Sequence, residues 1–151
     1  MTGDPPSRRF GVTTGYGVAS ELMSSENLSE FAKRYAKAWC SHNPQSVAAF
    51  FAENASLTVN RGPPTPVLEI ARGFMRDFPD MIVTFDKLEE RADRTAFHWT
   101  LTGTYAGTGN HVRISGYELW KIDDAGLIAE SSGHFDAAEY ERQLKGSEKR
   151  T

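Results

Sequence analysis

The stretch Val112-Arg-Ile-Ser-Gly-Tyr-Glu-Leu-Trp-Lys-Ile122, then Asp123-Asp-Ala-Gly126, then Leu127-Ile-Ala-Glu-Ser-Ser-Gly-His-Phe135, decides how the rest of the chain is read. Two alternating apolar runs flank an Asp-Asp-Ala-Gly turn, which predicts a β-hairpin. Setting Ile122 opposite Leu127 sorts the side chains onto two faces. One face carries Ile114, Gly116, Glu118, Trp120 and Ile122 with Leu127, Ala129, Ser131, Gly133 and Phe135. It is apolar except at Glu118 and Ser131. The opposite face, with Arg113, Ser115, Tyr117, Leu119, Lys121, Ile128, Glu130, Ser132 and His134, suits water or a partner subunit. A carboxylate on the inward face is the main functional clue.

Working outward, the preceding segment has the same period. Phe97, Trp99, Leu101 and Tyr105 share one face, and His98, Thr100, Thr102 and Thr104 the other. Before it, Met81, Val83 and Phe85 alternate with Ile82, Thr84 and Asp86, and a turn is expected at 91–93. Gly107-Thr-Gly-Asn110 reads as a hairpin loop and not as a phosphate cradle, since no helix follows it.

The first half of the chain is helical in pattern. Asn27 with Glu30 resembles a capping box ahead of Leu28, Phe31, Tyr35, Ala38 and Trp39. Asn43-Pro44 opens a short helix with Val47, Phe50 and Phe51 as its apolar stripe. Ala55 to Asn60 alternates as a strand, and Thr65-Pro66 opens a third helix with Ile70, Phe74 and Phe78 on its buried side. Asp136 with Glu139 caps a short final helix. Residues 1–25, rich in Gly, Pro, Ser and Thr, read as a flexible arm from which Val12, Tyr16, Val18 and Leu22 can dock. Residues 26–145 form the domain and 146–151 a charged tail. Three helices followed by a meander of long strands define an α+β domain, the helices covering one face of a curved antiparallel sheet.

Composition bounds the partners. The 151 residues are 39% hydrophobic and 25% charged, enough for one domain with a real core. A net charge of -3 with scattered basic residues argues against nucleic acid and anionic membranes. The lone Cys40 rules out an intrachain disulfide and reads as a small core thiol in a reducing compartment. No apolar run has the length of a membrane span or signal-peptide core, so the chain reads as soluble and cytoplasmic. His98, His111 and His134 fall mostly on the polar face, and no His-x-x-x-His or Cys-x-x-Cys spacing supports a metal site.

The order of elements, Phe78-Pro79-Asp80, the Asp-Asp-Ala-Gly hairpin and the ending Phe135-Asp136 to Arg142-Gln143-Leu144 together resemble the nuclear transport factor 2-like superfamily, and within it SnoaL-like domains. The resemblance covers about residues 28 to 144 and speaks more to fold than to chemistry. It implies a cone-shaped, half-open sheet around a small-molecule pocket, and a homodimer through the outer sheet face. Tyr117 to Ile122 is similar to the ketosteroid isomerase strand that carries the protonated oxyanion-hole aspartate, and Glu118 falls on that aspartate; a histidine occupies the same place in polyketide cyclases. Phe135 corresponds to an aromatic pocket wall. Where the isomerases have their proton-abstracting aspartate this chain has Val59 or Asn60, and where the cyclases have a catalytic aspartate it has Gly133. By either template the second partner is missing.

A carboxyl group walled by Trp99, Trp120 and Phe135 is desolvated, which raises its pKa and fits it to donate a hydrogen bond to an enolate or to shuttle a proton. The alternatives are a Glu118 ionised and paired with Arg61 or Arg72, or turned outward by a bulge at Gly116. Asn60 either orients a substrate oxygen or satisfies the strand end. Tyr35, Trp39, Tyr105 and Trp120 serve as core or as ligand-stacking side chains. Two functions follow. The first is a cofactor-independent isomerase, cyclase or dehydratase acting on an apolar, oxygen-bearing molecule, with Glu118 as acid-base group, Asn60 as polar positioner and Tyr35, Trp99, Trp120 and Phe135 as substrate contacts. The second is a non-catalytic dimeric domain that binds a ligand or protein.

Overall fold

The computed structural model describes residues 25–146, with side chains from Asn27 onward. The expected arm, apart from Ser25, and the tail beyond Gly146 lie outside the described residues. Helix α1, Ser25–Trp39, turns Leu28, Phe31, Ala32, Tyr35, Ala36 and Trp39 inward at helical spacing, and all six are buried. Asn27 lies within this helix, so it is not the cap expected of it. Helix α2, Pro44–Ala48, starts where the sequence predicts it, with the Asn43 side chain accepting from Gln45 N–H at 3.1 Å.

Strand β1 runs Phe51–Val59 and begins earlier than expected. Phe51 belongs to it and not to the α2 stripe, where only Val47 is fully enclosed. The Thr65–Pro66 pair is likewise not a helix start. It forms a two-residue edge strand, β2, against Ser56 and Leu57 of β1, a place that tolerates proline's missing N–H. Helix α3, Val67–Asp77, follows, burying Val67, Ala71 and Met75 and leaving Ile70 and Phe74 half-buried toward the inner face of the sheet.

The long strands are β3, Ile82–Arg91, β4, Arg94–Thr104, β5, His111–Ile122, and β6, Ile128–Phe135; helix α4, Ala137–Lys145, ends the fold with Asp136 as its cap, accepting from Glu139 N–H at 3.0 Å. The sheet order is β2-β1-β6-β5-β4-β3. Every pairing is antiparallel except that of β1 with β6, which is parallel. The meander is therefore as expected, while the strand preceding it inserts beside the last strand with the opposite sense to a hairpin partner. The sheet is curved and does not close, and the helices fill its concave side.

The β5–β6 hairpin corrects the expected register. Lys121 pairs with Glu130, Glu118 with Gly133 and Gly116 with Phe135, two residues away from the tight pairing, with an irregularity between Lys121 and Ile122. The cause is Asp123, whose Oδ1 accepts from Ala125 N–H at 2.9 Å and Leu127 N–H at 3.0 Å and so widens the turn, with Gly126 at φ 82°. A shift of two preserves parity, so Glu118, Trp120, Ser131 and Phe135 still share the inner face. Beyond the irregularity parity flips, and Ile128, expected outside, is fully buried opposite Ile122.

Candidate active site

Glu118 sits mid-way along β5, in a ladder with β4 that runs without a break from Thr95–Trp120 to Thr104–His111. No bulge occurs at Gly116, so the alternation read from the sequence holds and the carboxyl points inward. Its side chain is 6% exposed. Three donors converge on it: the Tyr35 hydroxyl at 2.9 Å from Oε1 and 3.1 Å from Oε2, Trp120 Nε1 at 2.9 Å from Oε1, and Ser131 Oγ at 2.8 Å from Oε1. Among the described residues no cation pairs with it, which disposes of the expected alternative of a partner at Arg61 or Arg72.

This donor set has a chemical consequence. An indole N–H can only donate, so Oε1 is an acceptor in every protonation state. When the carboxyl is neutral its proton therefore belongs on Oε2, the less occupied oxygen. Burial raises the Glu118 pKa above the ordinary carboxylate value, against the pull of the donors from Trp120, Ser131 and Tyr35. Burial also lifts the Tyr35 phenol well above its usual range, and the neighbouring Glu118 charge adds to this, so Tyr35 remains a donor.

Above the carboxyl lies an apolar cavity of about 60 Å³. Its inner end is Glu118 with buried Trp39, Leu57 and Phe97; its outer rim is the half-buried set Val59, Ile70, Phe74, Trp99, Phe135 and Tyr140. The inner end is braced. Phe97 is stacked between Phe85, centroids 5.7 Å apart, and Trp120, 4.9 Å apart, while the fully buried Tyr35 ring meets both Phe97 and Trp120 edge-on. At the rim Gly116 lets Trp99 and Phe135 approach to 6.0 Å, because a Cβ there would lie 2.7 Å from Trp99 Cζ2.

Of the side chains singled out from the sequence, Glu118, Trp99, Phe135 and Trp39 line the cavity. Tyr35 and Trp120 do not line it; they stand behind Glu118 as donors. Asn60 also lies off the cavity wall. Its Oδ1 accepts from Phe135 N–H at 2.9 Å and its own N–H donates to Gly133 O at 2.8 Å, with φ at 49°. Asn60 thus satisfies the strand end, the second of the two roles expected for it. Tyr140 is a wall residue that sequence reading missed. It is carried on the last helix, which only the tertiary fold brings over the sheet, and burial raises its phenol to about 12. The described residues contain no cluster of metal-ligating side chains, and no helix long and apolar enough to cross a membrane.

A profile of the SnoaL-like polyketide cyclases matches residues 29–144. The chain belongs to this family. SnoaL-like folds of low identity surround it among solved structures. AclR, a candidate hydroxylase from Streptomyces galilaeus, is 17% identical with a TM-score of 0.69, covering 81% of this chain and 98% of its own. A protein of ketosteroid isomerase-like fold from Catenulispora acidiphila, solved with trimethylamine, is 15% identical with a TM-score of 0.68, covering 77% and 92%. IdmH, a candidate polyketide cyclase from Streptomyces antibioticus, is 20% identical with a TM-score of 0.64, covering 78% and 97%. At these identities the likeness is one of fold. No curated protein matches the sequence.

Proposed function

We propose that this SnoaL-like domain binds a small apolar molecule carrying one oxygen function and moves a proton on it, with Glu118 as the acid-base group. The observation that carries the reading is a buried carboxyl, unpaired with any cation among the described residues, at the inner end of an otherwise apolar cavity. Its neutral form donates from Oε2 to a carbonyl oxygen and favours the enol; its ionised form, a stronger base than a solvated carboxylate, takes a proton from the carbon beside that carbonyl. One such group suffices for an isomerisation, because the proton taken from one carbon is returned to another and nothing else is consumed. Tyr35, Trp120 and Ser131 position the carboxyl and fix which oxygen reacts. Their protons all point at Glu118, which makes a hydrogen-bond cage and not a metal's ligand sphere.

The test is exchange of ketone α-protons into deuterated water, followed by NMR. Exchange above the buffer rate that Glu118→Gln abolishes supports the reading; wild-type protein no faster than buffer over a panel of apolar ketones overturns it. A binding-only pocket is the second reading, favoured by the wall composition, in which Tyr140 is the one titratable side chain besides Glu118. The same proposal takes the domain as a cytoplasmic homodimer paired through its outer sheet face. There Tyr117 stacks on His134 at 5.0 Å with the Arg91 guanidinium 4.8 Å above its ring, a polar aromatic surface suited to a wet interface. Sedimentation equilibrium of wild type and Tyr117→Glu checks this: a dimer that the charge disperses is the expected result.

A further inference from the structure

The whole cavity, rim included, measures about 60 Å³. An apolar protein cavity of about 150 Å³ is what holds a benzene ring. A wall must therefore give way before a molecule of the proposed class settles beside Glu118, and the walls are not equally firm. Strands β1, β3, β4, β5 and β6 and helices α1 and α3 all line the cavity, and each of them also carries buried side chains. Helix α4 lines it through Tyr140 alone and has no buried side chain, so it gives up least by moving away.

The two ends of α4 are held differently. Just before it the chain is pinned, since Phe135 N–H donates to Asn60 Oδ1 at 2.9 Å. At its far end the hold is a set of polar bonds. Strand β6 stops at Phe135, opposite Gly116, and leaves the earlier part of β5 without a strand on that side. The side-chain amide of Gln143 fills in there: its Oε1 accepts from Arg113 N–H at 2.7 Å and its Nε2 donates to Arg113 O at 2.9 Å. One residue on, Leu144 O accepts from Thr108 Oγ1 at 2.8 Å and from Asn110 Nδ2 at 2.9 Å. Arg113 and Thr108 are exposed and Asn110, Gln143 and Leu144 half-buried, so water can stand in for each of these bonds.

We propose that α4 is a lid, hinged at Asp136 and latched to β5 by Gln143, whose outward swing withdraws Tyr140 from the cavity wall and admits the ligand. Asn60 and Phe135 mark where the motion stops, and Gln143 is the residue whose release starts it. The inference takes from the functional reading only that the cavity is the ligand site; it asks nothing of proton transfer.

A thiol placed on the cavity wall tests the lid without any ligand. Ile114 is buried, lines the cavity and follows the latched Arg113 in sequence. Ile114→Cys is made in the full chain with and without Gln143→Ala, and labelling by methyl methanethiosulfonate is timed by peptide mass spectrometry, with the native Cys40 thiol as internal reference. Amide hydrogen exchange of the wild type and of Gln143→Ala alone is followed in parallel, so that the test still decides if Ile114→Cys does not fold. Releasing the latch is expected to speed labelling at position 114 at least about tenfold, the effect of losing two hydrogen bonds, with Cys40 unchanged. Amides of 138–145 are expected to exchange faster by a similar factor, and those of α1 and α3 at their wild-type rates. Labelling at position 114 that ignores Gln143→Ala, labelling of both thiols accelerated alike, or exchange in 138–145 that does not rise overturns the lid. None of these readouts depends on Glu118, so a failure of ketone proton exchange removes the chemistry and leaves the lid standing, while unchanged labelling removes the lid and leaves the chemistry standing.

Discussion

Gly133 faces Glu118 directly across the β5–β6 ladder, and a Cβ at Gly133 would stand 3.8 Å from Glu118 Cγ, ordinary van der Waals contact. The position at which the resemblance to polyketide cyclases implies a carboxylate is therefore a glycine where a Cβ fits in ordinary contact with Glu118 and Thr58. Gly133→Ala is expected to fold with stability within about 1 kcal/mol of wild type, since nothing must shift and the loss of glycine's chain entropy helps. Gly133→Asp sets two carboxyls together, and like charges in a desolvated site push one protonation upward. Carbon-13 titration of that variant is expected to show Glu118 and the introduced carboxyl titrating as a pair, with one apparent pKa above that of wild-type Glu118; two values at or below it would show that the introduced side chain turns away.

The raised pKa of Glu118 sets the sign of a pH effect. Because the folded group holds its proton more tightly than the unfolded one, its contribution to stability is fully present below the ordinary glutamate value of 4.5 and is lost as pH rises through the folded pKa. Urea denaturation across about pH 4 to 8 is expected to show wild type losing stability relative to Glu118→Gln as pH rises, with the gap constant once Glu118 is ionised in both states. Wild type gaining stability relative to Glu118→Gln as pH rises contradicts the burial argument.

Removing the carboxyl outright is a different matter. Glu118→Ala strands the Trp120 N–H and two hydroxyls in a dry site, at about 1–3 kcal/mol for a buried orphan, and opens a void besides. A larger loss of stability than in Glu118→Gln is expected by chemical denaturation, with the near-ultraviolet dichroism of Trp120 altered in the Ala variant and largely retained in the Gln variant.

Gly116 is the least replaceable glycine of the inner face. A Cβ there would run into the backbone oxygen of His134 and lie 2.7 Å from Trp99 Cζ2, and the first of these cannot swing aside. Gly116→Ala is expected to cost about 3 kcal/mol, at the upper end of overpacking effects, read as a lowered denaturation midpoint.

For Asn60 the structure separates stability from binding. Asn60→Ala loses the bond to Phe135 N–H and places alanine at a left-handed φ, so about 1–2 kcal/mol of destabilisation is expected. Ligand affinity, measured where the variant is fully folded, should be nearly that of wild type.

The inner face was legible because β5 is paired on both sides from Gly116 to Trp120, the stretch around Glu118, where strict alternation is enforced by burial. Glu118 stood out there as the one charge in an apolar row. The turn register was not legible, since it depends on where the Asp123 side chain places its two hydrogen bonds. Phe50-Phe51 and Thr65-Pro66 misled because a few apolar residues fit either period, and β1 gains its identity from β2 and β6, the second of which lies far along the chain. The Tyr35 contact with Glu118 spans 83 residues, and no local pattern announces such a meeting.

The parallel pairing of β1 with β6 also governs the order in which the molecule can be made. Asn60, at the end of β1, meets Phe135 only across 75 residues of intervening chain. At ribosomal speeds of about 5–20 residues per second, the first strand waits roughly 4–15 seconds for its neighbour to be synthesised. Ser131 arrives on that same late strand. Until the last strand leaves the ribosome, β1 and the edge of β5 lack the neighbour that joins them, so the nascent chain carries an unfinished sheet edge that a chaperone or premature neighbour can occupy.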